Sequence, residues 1–85
     1  MNEIEYEIID ELYFVTSFRD IANALYLTNQ ELCSNLKDLI KRGYVKAFYP
    51  NPDTEVEFAE QQFEDNCQQY YFLATKAGLI VHNSR

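Results

Sequence analysis

The chain has 85 residues, 47% of them hydrophobic and 25% charged, which indicates one globular domain and excludes a disordered chain. Its 14 acidic residues outnumber its seven Lys and Arg residues, so the formal net charge is −7 and any affinity for DNA must come from a locally basic surface. No apolar run approaches the ~20 residues that cross a membrane, and the acidic start MNEIEYEIIDEL lacks the features of a signal peptide. We therefore expect no membrane contact and a cytoplasmic location.

The residues that usually carry catalysis or bind metals are scarce. Gly43 and Gly78 are the only glycines and cannot form a phosphate-binding loop, and His82 is the only histidine. The carboxylates are expected on exposed faces, without the apolar surroundings that tune a general acid. Cys33 and Cys67 are expected to be free thiols, because two isolated cysteines form no disulfide framework. We predict that the chain is not an enzyme and holds no cofactor or metal.

The first quarter of the chain predicts two helices. Apolar residues at helical spacing favour a first helix over residues 3–14, whose other face carries only acids. Ser17 followed by Asp20 is a variant of the capping box and predicts the start of a second helix over 17–26.

A third helix is predicted over residues 29–42. Thr28 followed by Glu31 is a capping box, and Gly43 supplies the left-handed residue that commonly follows the end of a helix. The apolar stripe of this helix consists of Leu32, Leu36, Leu39 and Ile40.

The second half predicts two strands and a final helix. Residues 44–49 and 69–74 are rich in β-branched and aromatic residues, as strands are, and Thr75 can cap a short helix over 75–82. Side chains alternate between the two faces of a strand, so in the second strand either Tyr70 and Phe72 or Tyr71 and Leu73 face the core. The acidic connection between the strands, over 54–66, is compatible with either a short helix or an extended arm.

Four segments of the chain resemble the winged helix-turn-helix domain of bacterial transcriptional regulators. They are DIA from Asp20, LTNQEL from Leu27, LKDLIKRGYV from Leu36 and YFLATKAGL from Tyr71. The resemblance covers residues 17–82 and implies a small α+β winged helix: a three-helix bundle with the helix-turn-helix, a two-stranded wing and a short C-terminal helix, in a single domain over 1–85. It also implies that the third helix is the recognition helix, which enters the major groove, and that the protein is a small DNA-binding transcriptional regulator.

The third helix would then carry the DNA contacts. Its outward amides, hydroxyl and amines suit base edges, although any solvated helix face offers such groups. The segment 37–46 carries four cations against one acid, which gives it a local charge of +3. The expected groove contacts are Asn29, Gln30, Ser34, Lys37 and Lys41, and the expected phosphate contacts are Arg42 and Lys46.

The acidic connection favours a different function. With Asp53 just before it, this connection brings together six acids and no basic residue, and they would be repelled by a duplex. Seven of the 13 aromatic residues fall between positions 48 and 72, and aromatic residues are enriched in protein interfaces. The alternative is an acidic winged-helix protein–protein interaction module that does not bind DNA, with Phe58 and Phe63 at the interface unless these rings pack the loop onto the body. Under either function we expect a homodimer or a larger protein partner.

Overall fold

In the computed structural model, which describes residues 1–84, five α-helices pack against one antiparallel sheet of four strands. The helices are α1 (Glu3–Asp10), α2 (Phe18–Leu25), α3 (Asn29–Lys41), α4 (Glu60–Asn66) and α5 (Lys76–Asn83). The strands are β1 (Thr16–Ser17), β2 (Val45–Phe48), β3 (Glu55–Val56) and β4 (Tyr71–Ala74), and a 3-10 turn, Cys67–Gln69, follows α4. The predicted α+β class is confirmed, and the arrangement is broadly consistent with a small winged-helix-like fold.

Local capping fixes where four of the helices begin. In each case a side-chain oxygen accepts a hydrogen bond from the backbone amide three residues later, at 2.9–3.1 Å. The capping residues are Asn2 in α1, Ser17 in α2, Thr28 in α3 and Thr75 in α5. Three of these caps are visible in the sequence and were predicted, whereas the box formed by Asn2 and Glu5 was not.

Helix α1 is shorter than predicted. It ends at Asp10, four residues before the end of the predicted range 3–14. The chain after α1 bonds to the sheet instead of continuing the helix. The carbonyl of Leu12 accepts from the Ala74 amide at 2.9 Å, and Thr16 Oγ1 donates to the Phe14 carbonyl at 2.8 Å. These bonds hold the chain after Leu12 against the sheet in place of the last turn of the predicted helix.

The sheet is wider than the predicted two-stranded wing. Its strand order is β1-β4-β2-β3, and the two predicted strands, β2 and β4, form its central pair. On one edge Thr16 of β1 lies opposite Phe72, and on the other edge Val56 of β3 lies opposite Ala47. Both edge strands are two residues long, too short for composition to define their bounds.

The core lies between α3 and the sheet. Three leucines of α3, namely Leu32, Leu36 and Leu39, are fully buried. Tyr70, just before β4, and Phe72 within it are the inward residues, so the first of the two predicted alternations is correct. The rings of Phe18 and Phe63 pack around Phe72 with centroid distances of 6.4 and 6.1 Å.

Residues 54–66 contain both of the structures that the sequence allowed. The segment begins with the edge strand β3 and continues into α4. Phe63 fixes α4 to the body, because its ring is completely buried. The acidic connection is therefore an ordered layer over the domain.

Cys33 and Cys67 form a disulfide, so the expectation of free thiols was wrong. The two cysteines are 34 residues apart in the sequence, but packing of the 3-10 turn against α3 brings their Cα atoms to 6.1 Å. Spacing in the sequence gave no sign of this contact. Disulfides persist mainly in oxidising compartments, so this pair does not favour the expected cytoplasmic location.

Candidate interaction surfaces

The N-terminal half of α3 presents neutral polar side chains to solvent. Asn29, Gln30 and Ser34, three of the predicted groove contacts, are all exposed. They line an open groove between α3 and the 3-10 turn, with Cys33 and Cys67 also along the groove. This half of α3 has hydrogen-bonding groups suited to base edges, but it carries no cation of its own.

The C-terminal half of α3 is covered by the acids of α4. Lys37 Nζ lies 2.6 Å from a Glu64 oxygen and 3.9 Å from a Glu60 oxygen, and Lys41 Nζ lies 2.6 Å from the same Glu60 oxygen. The hydrogen bond to Glu64 raises the pKa of Lys37 above its usual value. The hydrogen bond from Lys41 lowers the pKa of Glu60. We call Lys37, Lys41, Glu60 and Glu64 the α3–α4 ion-pair cluster.

The two predicted phosphate contacts are also engaged within the chain. Arg42 pairs with the buried carboxylate of Glu5, and its guanidinium lies 5.5 Å from the centre of the Tyr44 ring. Lys46 Nζ lies 3.6 Å from a Glu55 oxygen. The side chain of Arg42 is therefore part of the packing between α1 and α3.

These pairings cancel the local positive charge that the sequence predicted. The segment 37–46 contains four cations and one acid, and four acids from elsewhere in the chain lie against those cations. The surface formed by these groups thus carries a net charge of −1 instead of +3. A phosphate approaching it would meet carboxylates as well as cations.

The structure buries one of the two predicted protein-interface residues completely and the other in part. Phe63 is fully buried, and Phe58 is half-buried with its ring 5.5 Å from that of Phe63. Phe63 also contacts Tyr70 at a centroid distance of 5.3 Å. These aromatic side chains pack the acidic layer onto the body, so the fully buried Phe63 is corrected from an interface to a packing residue, and Phe58 stays partly accessible.

Other aromatic side chains are the ones exposed to solvent. In the loop after α1, Tyr13 is 45% and Phe14 82% exposed, and Val15 beside them is 38% exposed. Tyr26, which ends α2 in the left-handed conformation, is 94% exposed. None of these residues was among the predicted interface residues, although the run Tyr13–Val15 departs from the apolar spacing of the preceding helix.

The loop of Tyr13, Phe14 and Val15, here called the loop patch, is held against α5. The Tyr13 hydroxyl lies 3.3 Å from His82 Nδ1 and donates to Asn83 Oδ1 at 3.2 Å. His82 Nε2 lies 2.6 Å from a carboxylate oxygen of Asp10 at the end of α1. The patch therefore has a fixed position next to the acidic face of α1.

Residues 1–84 contain no group of His, Cys, Asp and Glu side chains that could hold a metal ion. In the same range, none of the helices combines the length and apolar character needed to span a membrane. Comparisons of the chain with protein-family models, with curated proteins and with solved structures found no match.

Proposed function

We propose that this chain is an acidic, winged-helix-like interaction module whose partner is a protein rather than DNA. The observation that supports this proposal most is the internal pairing of Lys37, Lys41, Arg42 and Lys46. These four cations are all among the predicted DNA contacts, Lys37 and Lys41 in the groove and Arg42 and Lys46 at phosphates. Each of them instead lies against a carboxylate of the same chain.

The energetics of DNA binding argue in the same direction. Phosphate contacts supply most of the affinity of a typical DNA-binding protein, while base contacts add specificity. In this chain a phosphate would have to displace Glu60 and Glu64 from the α3–α4 ion-pair cluster. Helix α4 cannot easily move away to allow this, because Phe63 anchors it in the core and a disulfide joins the following turn to α3.

Exposed aromatic side chains support the protein-binding function. Phe14 and Tyr26 are among the most exposed large apolar residues of the described chain, and neither contributes to its core. Aromatic residues are enriched among those that dominate binding energy at protein interfaces. Binding a partner would remove these rings from water.

A DNA-binding transcriptional regulator is the second candidate. It is favoured by the exposure of Asn29, Gln30 and Ser34, which leaves three of the predicted groove contacts accessible. This function requires that the base contacts act with little help from phosphates, so we rank it below the protein-binding function.

A titration with labelled random-sequence duplex DNA separates the two functions. In about 20 mM and about 200 mM salt we expect the wild-type chain to give no change in fluorescence anisotropy. Lys37→Gln and Lys76→Gln form a matched pair, because both remove one charge but only Lys37 lies on α3. Saturable binding at the lower salt that Lys37→Gln weakens and Lys76→Gln spares would overturn the protein-binding proposal.

A further inference from the structure

We infer that the loop patch and the adjoining acidic face of α1 together dock a basic, amphipathic segment of a partner protein. The acidic face consists of Glu7, Asp10 and Glu11. This inference rests on the proposed function and adds to it the place of contact and the chemistry of the partner.

The apolar part of the surface is exposed, while the backbone that carries it is hydrogen-bonded. Phe14 is 82% exposed, yet the backbone around it is tied down on both sides. The Phe14 carbonyl accepts from Thr16 Oγ1 at 2.8 Å, and the carbonyl of the fully buried Leu12 accepts from the Ala74 amide at 2.9 Å. A fixed anchor loses little conformational entropy on binding, which favours affinity.

The acidic part lies directly next to this anchor. Glu7, Asp10 and Glu11 are three and four residues apart, so they share one face of the last turns of α1. Residues 1–18 contain five acids and no Lys or Arg; of these acids Glu5 is directed to Arg42, and Asp10 lies against His82 Nε2. The outward field of this end of the domain is therefore negative.

Charge complementarity selects the occupant. If a second copy docked through a two-fold axis, the acidic faces of the two α1 helices would lie close together. Repulsion between their like charges opposes this arrangement. A segment with Lys or Arg side chains around an apolar stripe avoids this repulsion. Its cations would face Glu7 and Glu11 while its apolar side chains cover Phe14 and Val15.

The test uses a labelled peptide of leucine and lysine with helical amphipathic spacing, titrated against the full chain. One control peptide replaces every lysine by glutamate, and another replaces every leucine by serine. We expect saturable binding of the first peptide only, with the largest NMR amide shifts at residues 7–15. Phe14→Ser should weaken this binding at least about tenfold, whereas Tyr26→Ser, which removes an equally exposed ring elsewhere, should leave it unchanged.

Three results would overturn the inference. The first is that Phe14→Ser and Tyr26→Ser have equal effects on peptide affinity. The second is that the amide shifts are confined to the acidic segment 53–65, and the third is that the wild-type chain does not bind the leucine and lysine peptide. None of them depends on the DNA titration. Failure of this inference is thus distinguishable from failure of the proposed function, which only DNA binding would overturn.

Discussion

Glu5 is the only charged residue that is buried among residues 1–84. One carboxylate oxygen accepts from the Asn2 amide at 2.9 Å and completes the cap of α1, and the other accepts from the Arg42 guanidinium. A buried carboxylate requires such partners, since an uncompensated charge in the interior is strongly unfavourable. The role of Arg42 is therefore structural, which the sequence alone could not show because Glu5 is 37 residues away.

We predict that Arg42→Gln lowers the free energy of unfolding by about 1–2 kcal/mol. This is less than the loss expected on breaking a fully buried ion pair, because the arginine side chain is 41% exposed. The loss arises because Glu5 keeps its buried charge without a counter-charge. Urea unfolding measures the change. Arg19→Gln is the matched control, and since Arg19 is exposed on α2 its effect should stay within about 0.5 kcal/mol. Equal effects of the two variants would contradict the structural role of Arg42.

Gly78 is required by a close backbone approach between α5 and the start of β2. A Cβ atom at this position would lie 2.2 Å from the carbonyl oxygen of Tyr44, which itself accepts from the Thr75 amide at 3.0 Å. We predict that Gly78→Ala destabilises the domain by about 2 kcal/mol or more, because neither backbone segment can yield without losing that bond. Thermal unfolding tests this, with Ala77→Gln on the exposed side of α5 as the control. A Gly78→Ala protein as stable as this control would refute the contact.

At the level of secondary structure, the sequence predicted what is decided locally. The caps Ser17, Thr28 and Thr75 lie next to the helices they start, so those helices begin within one residue of the predicted positions. The pairing of Thr16 with Phe72 is not local, because nothing near Thr16 indicates a partner strand 56 residues later. The same limit explains the wrong expectation for Cys33 and Cys67.

The α3–α4 ion-pair cluster did leave a signal in the sequence. Lys37 and Lys41 are four residues apart, as are Glu60 and Glu64, so each pair lies on one face of its helix. Two helices with matching spacing and opposite charge can pack side by side. The spacing alone could not establish the contact, because Phe63 is what holds α4 against the body.

The cluster should make stability depend on pH in a defined way. The pKa of Glu60 is lowered in the folded state by the hydrogen bond from Lys41, so its contribution is present above the ordinary glutamate pKa of about 4.3. That contribution is lost as the pH falls through the lower folded-state pKa. The pKa of Lys37 is raised by its hydrogen bond to Glu64, so its contribution is present below about 10.4 and lost as the pH rises further.

We therefore predict that Glu60→Gln/Glu64→Gln lowers stability at neutral pH and that its difference from the wild type disappears in strong acid. Denaturant unfolding at a series of pH values measures that difference. Glu57→Gln/Asp65→Asn is the matched control, because it removes the same two charges from exposed positions outside the cluster. A pH profile shared by both double variants would indicate general charge repulsion rather than the specific pairs.

For the whole molecule, the small size of the core explains the importance of covalent and ionic links between its layers. A chain of this length buries only about 60–65% of the surface that it exposes when unfolded, so few kcal/mol separate the two states. The acidic layer over residues 53–66 adds repulsion to this small margin, and only Phe63 is fully buried within it. The disulfide between Cys33 and Cys67 ties the end of this layer to α3.

We predict that reduction of this disulfide destabilises the domain by about 3–4 kcal/mol, the value expected for closing a loop of 34 residues in the unfolded chain. For a domain of this size the midpoint of thermal unfolding should fall by more than about 10 °C. The measurement compares melting with and without a dithiol reductant, which exchanges its thiols with the disulfide and leaves two protein thiols. Cys33→Ser/Cys67→Ser is the control, and the reductant should not change its melting. If the wild-type chain melts at the same temperature in both conditions, the cysteines are unlinked in solution, and α4 is then held to α3 by Phe63 and the ion pairs alone.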